Sequence, residues 1–428
     1  MNYKETTEYL FNQLPMYQRI GKAAYKTDLK NTLELCKLLD HPHKRFKSIH
    51  IAGTNGKGST AHFLASIFQT AGFKTGLYTS PHLKDFRERI KINGEMITEE
   101  YVVDFVKKNK KEFENIKLSF FEMTVGLAFQ YFADEEVDIA IIETGMGGRL
   151  DSTNVIDPVL SVITNIGYDH MQFLGDTLPK IAAEKAEIIK KNTPIVIGET
   201  QTEIKELFTS KADSVNADIS FADDVFELKK LSHKELDVAC FDVWKNNELY
   251  IEELESPLLG EYQAKNIATA LQAADVIKNQ FGLSHNIITD GIRDMASNTG
   301  FRGRWQVLSK NPLTICDTAH NKEGIKEVVS QLRQLNYDQL HFVLGMVNDK
   351  NIDQLLRLLP HEATYYFCKA DIPRGLAEKE LKMAAHEVGL RGRRHSSVRE
   401  AYNVALNNAG ANDLIFIGGS TFVVAEIV

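Results

Sequence analysis

The stretch Ile49-His50-Ile51-Ala52-Gly53-Thr54-Asn55-Gly56-Lys57-Gly58-Ser59-Thr60 decides the fold. An apolar run ends in a glycine-rich turn with one lysine, and helical apolar spacing follows at once through Ala61, Phe63, Leu64, Ile67 and Phe68. In that order strand, turn and helix form a phosphate cradle. Glycines let the backbone approach a polyphosphate, the turn amides point inward, and the helix N-terminus favours an anion. Gly53, Thr54, Asn55, Gly56, Lys57, Gly58, Ser59 and Thr60 are therefore predicted to bind a nucleotide, with Lys57 reaching its outer phosphates. Ser59 or Thr60 offers a hydroxyl to phosphate or to magnesium. The spacing departs from the usual loop: only Thr54 and Asn55 separate Gly53 from Gly56, and Gly58 follows Lys57 where a hydroxyl residue is common. A plain strand-to-helix turn is the alternative, and the surrounding strand and helix argue against it.

Working outward, helical spacing precedes this stretch at residues 3–14 and 27–39. After it, Thr75–Ser80 reads as a second buried strand that stops at Pro81. Helices are predicted over 98–112 and 119–133, followed by the apolar strand Val137–Ile142 and then Glu143-Thr144-Gly145-Met146-Gly147-Gly148-Arg149. A further strand, Val159–Ile166, leads to Gly167-Tyr168-Asp169-His170, and the next helix contains Glu184-Lys185-Ala186. Strands alternating with helices predict a mainly parallel sheet covered on both faces, whose ligands gather at the carboxyl ends of strands. Lys57, Ser80, Glu143 and His170 each follow such an end.

From about 195 to 260 the pattern shifts to short strand-like pieces, including Ile219–Phe221, which predict a small antiparallel addition. A helix resumes from Tyr262 and carries Asn266. The polar, glycine-containing segment from Ser297 to Arg304 marks a boundary, giving domains 1–296 and 297–428. The second domain alternates again, with strands near 313–317, 340–346, 364–369 and 413–417. The chain stops soon after the last of them, so a short further tail is expected.

Fifty basic against 58 acidic residues give a net charge of -8, which disfavours broad nucleic-acid binding while leaving room for a local anion pocket. Cys36, Cys240, Cys316 and Cys368 have no short-spaced pair, so neither a zinc site nor a disulfide framework is expected. Without a secretory signal or a membrane-length apolar run, the expectation is a soluble cytoplasmic protein.

Among the chemistry-bearing residues, Glu143 stands out, because a carboxylate after a fully apolar strand needs a cation. Magnesium is the natural one beside a nucleotide. His170 joins the same layer, although imidazole is an unusual magnesium partner. Pattern alone puts Lys185 on a solvated surface. Arg304 and Arg302 are equal candidates for a phosphate contact from the hinge. Asp317, at a strand end before His320, suits either a ribose contact or a helix cap. These features imply an ATP- or GTP-dependent enzyme with an interdomain site, and leave kinase, ATPase and ligase open.

Taken together, eight ordered motifs resemble the folylpolyglutamate synthase and dihydrofolate synthase family of Mur-type ligases. They are Gly53–Ser59, Thr79-Ser80-Pro81-His82-Leu83, Glu88-Arg89-Ile90, Ser119-Phe120-Phe121-Glu122, Glu143–Asp151, Asp169-His170-Met171, Glu184-Lys185-Ala186 and Asp317-Thr318-Ala319-His320-Asn321. The resemblance implies an α/β protein with an N-terminal P-loop Mur-ligase-type ATPase domain and a C-terminal Rossmann-like domain. It implies that Gly56–Ser59 hold ATP phosphates, that Ser80, Glu143 and His170 lie on Mg2+, and that Lys185 is carbamylated. It further implies that Asn266, Asp317 and His320 serve the nucleoside and that Arg304 reaches the phosphates, although Arg302 stands where the family usually has proline. Ser119, Phe120, Phe121, Glu122, Leu150, Asp151 and Ser152 match the pterin-side pocket, with Met16, Tyr17, Gln18 and Arg19 where another wall belongs.

The reaction so implied joins L-glutamate to a pteroate or folate carboxylate through an acyl phosphate, releasing ADP and phosphate, with domain closure completing the site. A monomer without nucleic-acid or membrane partners is expected. Narrower and rival readings are a folylpolyglutamate synthase alone, a cell-wall Mur ligase, disfavoured by Gly58 after Lys57, and a nucleotide-binding regulatory module without turnover.

Overall fold

The computed structural model describes residues 1–14, 28–231, 238–348 and 352–428. The predicted pocket residues Met16, Tyr17, Gln18 and Arg19 lie outside them. Two compact units emerge: the first comprises most of the chain up to Phe301, and the second comprises Arg302–Val428 with Pro257–Gln263.

In the first unit the strands are β1 (Lys47–Ala52), β2 (Thr75–Tyr78), β3 (Ile90–Ile92), β4 (Glu95–Met96), β5 (Ile139–Glu143), β6 (Leu160–Ile163), β7 (Ile195–Ile197) and β8 (Ile219–Phe221). Among the described residues they form one sheet in the order β4-β3-β2-β5-β1-β6-β7-β8. β1 is central and parallel to both neighbours, with Ile51 opposite Glu143 and Ala52 opposite Ile163. β2 is parallel to β5, whereas β3 and β4 turn back antiparallel. The carboxyl ends of β2, β5, β1 and β6 thus stand side by side.

The helix Lys57–Thr70 is buried continuously from Ser59 to Phe68, so it is apolar around its circumference rather than amphipathic. The helix Phe120–Asp134 starts with a capping box, and its Phe129 and Phe132 are fully buried under the sheet.

The antiparallel addition begins later than the sequence suggested. Ile219–Phe221 pairs parallel with β7 inside the main sheet. The separate sheet consists of β9 (Phe226–Lys230), β10 (Ala239–Lys245) and β11 (Glu248–Ser256). Asn246 and Asn247, both at positive φ, make the two-residue turn between β10 and β11.

The second unit holds β12 (Gln306–Lys310), β13 (Leu313–Asp317), β14 (Leu340–Leu344), β15 (Thr364–Phe367), β16 (Arg391–Arg394) and β17 (Leu414–Gly418). Their order is β12-β13-β17-β14-β15-β16, parallel except for the edge strand β12. β12 and β16 were not expected from sequence. β16 is three arginines and a glycine, an edge whose charge discourages further pairing. Gly392 lies so close to the Tyr365 backbone that a Cβ there would collide with it.

Candidate active site

The loop after β1 is tied to the end of β6. Thr54 N donates to Asn165 O at 2.9 Å, Asn55 N to Asn165 Oδ1 at 3.0 Å, and Thr164 Oγ1 to Asn55 O at 2.6 Å. Gly56 caps the helix at φ 84, and a Cβ there would run into the Asn266 side chain. Asn266 therefore lies against the loop that follows β1. Lys57 Nζ donates to Gly53 O at 3.0 Å and Thr54 O at 3.2 Å. Ser59 and Thr60 are buried, and the Thr60 hydroxyl has no hydrogen-bond partner among the described residues.

Glu143 is 4% exposed at the end of β5, and its Oε2 accepts from Ser80 N at 2.9 Å. A Cβ on Gly58 would lie 3.9 Å from the same oxygen, so carboxylate, Ser80 and the start of the Lys57–Thr70 helix lie side by side. His170 follows β6 at φ 49 with its side chain 32% exposed, and its backbone N donates to Asp169 Oδ1 at 2.8 Å.

Lys185 departs from the surface position that pattern alone assigned it. It is 4% exposed, and Nζ donates to Gly53 O at 2.9 Å. Burial, with Lys57 nearby, pushes its ammonium pKa down to about 7. Periodicity misses this because an alanine-rich turn of helix can face either way.

On the side of β2, Ser119 Oγ accepts from Glu122 N at 3.2 Å and Glu122 Oε2 accepts from Ser119 N at 2.7 Å, so the buried Glu122 carboxylate is engaged in capping its own helix. Phe120 lies under the Arg89 guanidinium at 5.3 Å, and Phe121 tilts against Tyr78 with ring centroids 6.4 Å apart. Leu150 is half-buried, while Asp151 and Ser152 are buried. Asp151 Oδ2 accepts from Met146 N at 2.8 Å, and burial raises its pKa.

In the second unit, Asp317 is 2% exposed at the end of β13. Its Oδ2 accepts from Trp305 N at 2.7 Å and from the Tyr262 hydroxyl, and its Oδ1 accepts from Ala319 N at 2.7 Å. His320 Nδ1 bonds Thr318 O at 3.0 Å, which leaves Nε2 as the acceptor nitrogen. Arg302 is exposed, whereas Arg304 is half-buried and close enough to Tyr262 and Cys316 to act on both electrostatically. Tyr262 was read only as a helix start; its signal was a lone tyrosine just before the helix that carries Asn266.

A family model for the Mur ligase middle domain matches residues 51–274, and one for the Mur ligase glutamate ligase domain matches 303–421. The dihydrofolate synthase/folylpolyglutamate synthase of Bacillus subtilis is 32% identical over 415 residues, 95% of each chain. The chain belongs to the folylpolyglutamate and dihydrofolate synthase family of Mur ligases. Another relative of this synthase-family chain is a probable bifunctional folylpolyglutamate synthase/dihydropteroate synthase of Haloferax volcanii. It is 31% identical over 437 residues, and the chain spans only 50% of its length. Among solved structures, E. coli FolC in complex with DHPP and ADP aligns with a TM-score of 0.85 at 29% identity, covering 100% of this chain and 97% of that one.

The donors of this family member fit a hard divalent cation. Among the described residues no three His, Cys, Asp or Glu side chains form a metal cage, and none is needed for an ion that keeps several waters and takes one carboxylate beside phosphate oxygens. A buried carboxylate, and a serine that follows the adjacent strand, would be the oxygen donors for such an ion.

Proposed function

We propose that this protein is an ATP-dependent ligase that adds L-glutamate to dihydropteroate and to folyl-glutamates. The observation that carries the reading is the convergence of Glu143, Ser80 and Gly58 at the mouth of a phosphate loop. An acceptor carboxylate oxygen attacks the γ-phosphorus of ATP, forming a P–O bond as the bond to ADP breaks. The glutamate amine then attacks the acyl carbon, loses a proton and expels phosphate.

Turn amides from Gly53 to Ser59 hold the phosphates, and Lys57 swings from its loop carbonyls to the transferring group. Ser80, Glu143 and His170 would hold Mg2+, which would supply neutralisation of phosphate charge. Lys185, partly deprotonated near neutral pH, is open to carbamylation by carbon dioxide, which converts an amine into an anion. Asn266, Asp317 and His320 serve the nucleoside, and Arg304, better buried than Arg302, serves the phosphates. Phe120, Phe121, Leu150, Asp151 and Ser152 shape the acceptor pocket.

The protein acts as a cytoplasmic monomer on this reading. Its cysteines are free and buried, and no helix among the described residues is long and apolar enough to cross a membrane. The test is ADP release with ATP, magnesium and glutamate, scanning dihydropteroate and tetrahydrofolate as acceptors. Turnover with both supports the bifunctional reading; turnover with tetrahydrofolate alone leaves a folylpolyglutamate synthase; turnover with neither overturns the proposal.

A further inference from the structure

His50 lies in the middle of β1 with no exposed surface, where every neighbour along the strand's inner run is apolar or small. A buried imidazole there is costly, and burial pushes its pKa down to about 3, so the ring is neutral. Its Nε2 is 2.8 Å from Thr153 Oγ1, and Thr153 Oγ1 is 2.6 Å from Asp151 Oδ1.

The direction of this chain is fixed by counting protons. Asp151 also accepts from the amides of Thr153 and Met146, at 3.0 and 2.8 Å, so it is an acceptor on both oxygens. The single hydroxyl proton of Thr153 therefore goes to Asp151, and His50 must donate to Thr153 through Nε2–H. The tautomer so required leaves Nδ1 bare, and Nδ1 has no partner among the described residues. A buried bare lone pair costs less than a buried unpaired N–H.

Beyond Asp151 the chain reaches the acceptor side. The carboxylate holds the backbone of Gly145 and Met146, two and three positions after Glu143. Gly145 packs so tightly against the Phe121 ring that a Cβ would collide with it. We infer that His50 and Thr153 are positioning residues for the acceptor: a buried spine from His50 through Thr153 and Asp151 fixes the 145–146 backbone against which Phe121 is seated. This rests on the reading of Phe121 as a wall of the acceptor pocket.

The test compares Thr153→Val with Thr153→Ser, and His50→Leu with His50→Gln, which keeps a donor where Nε2 stands. Loss of the Thr153 bond to the buried carboxylate in Thr153→Val, or of the His50 bond to the Thr153 hydroxyl in His50→Leu, should raise the acceptor KM by about tenfold. The ATP KM and kcat should stay within about twofold, and Thr153→Ser and His50→Gln should restore the acceptor KM. An unchanged acceptor KM in Thr153→Val, or an equal rise in the ATP KM, overturns the inference. If the unmodified protein turns over no pteroate or folate, the functional reading falls, and amide hydrogen exchange across residues 144–152 decides the spine by itself. Faster exchange in Thr153→Val but not in Thr153→Ser upholds it; equal exchange in both overturns it.

Discussion

Ser80 N donates to Glu143 Oε2 across 2.9 Å, although the two residues are 63 positions apart in the chain. Parallel pairing of β2 with β5 brings their ends level, so the bond ties two strand ends into one wall. Glu143→Gln keeps the amide's acceptor and removes the charge. The fold should persist while kcat falls on the order of a hundredfold and the magnesium requirement moves to higher concentration. Titrating magnesium against ADP release checks this.

Gly56 and Gly58 should separate sharply when replaced by alanine. At φ 84, and with a Cβ directed at Asn266, Gly56→Ala is strained by roughly 1–2 kcal/mol before any contact is counted. Gly58 sits in the helix with only ordinary contacts, 3.8 Å to Phe301 and 3.9 Å to Glu143. Alanine there should leave the melting temperature unchanged or raised, since alanine is favoured over glycine inside a helix by about 0.5–1 kcal/mol. Thermal melts of the two variants give the comparison.

Lys185 links pH to stability. Its pKa is about 7 in the folded protein against an ordinary value of 10.5, so the unfolded chain binds more protons between those values. Its contribution to stability is therefore most favourable above about 10.5, declines as pH falls toward 7 and is constant below. Lys185→Met should melt higher than the parent at pH 7, lose most activity, and flatten the pH dependence of stability across that window. Melting curves from pH 6 to about 10 test the sign.

Tyr262→Phe removes one donor from the buried Asp317 carboxylate. The expected loss is about 1–3 kcal/mol of stability. The transition should be that of the second unit, which contains both residues. Denaturant unfolding followed by Trp305 fluorescence reports it, because Trp305 bonds the same carboxylate.

The parallel core was legible because its strands are apolar runs and its helices have regular spacing: β1, β5 and the Lys57–Thr70 helix stand where the pattern put them. β16 was not, since three arginines carry no burial signal and its pairing depends on a partner, β15, distant in sequence. That Lys57, Ser80, Glu143 and His170 each follow the carboxyl end of a strand could be read from position alone. The burial of Lys185 and the spine from His50 could not. Which way a side chain faces is settled by packing across the sheet, not by its neighbours in the chain.

The most direct measurement follows oxygen. With an acceptor whose carboxylate is labelled with oxygen-18, together with ATP, magnesium and glutamate, an acyl phosphate transfers one labelled oxygen to the released phosphate. The account predicts one label per phosphate, dependent on acceptor, with labelled phosphate appearing about a hundredfold more slowly in Glu143→Gln. Phosphate released without label would contradict it.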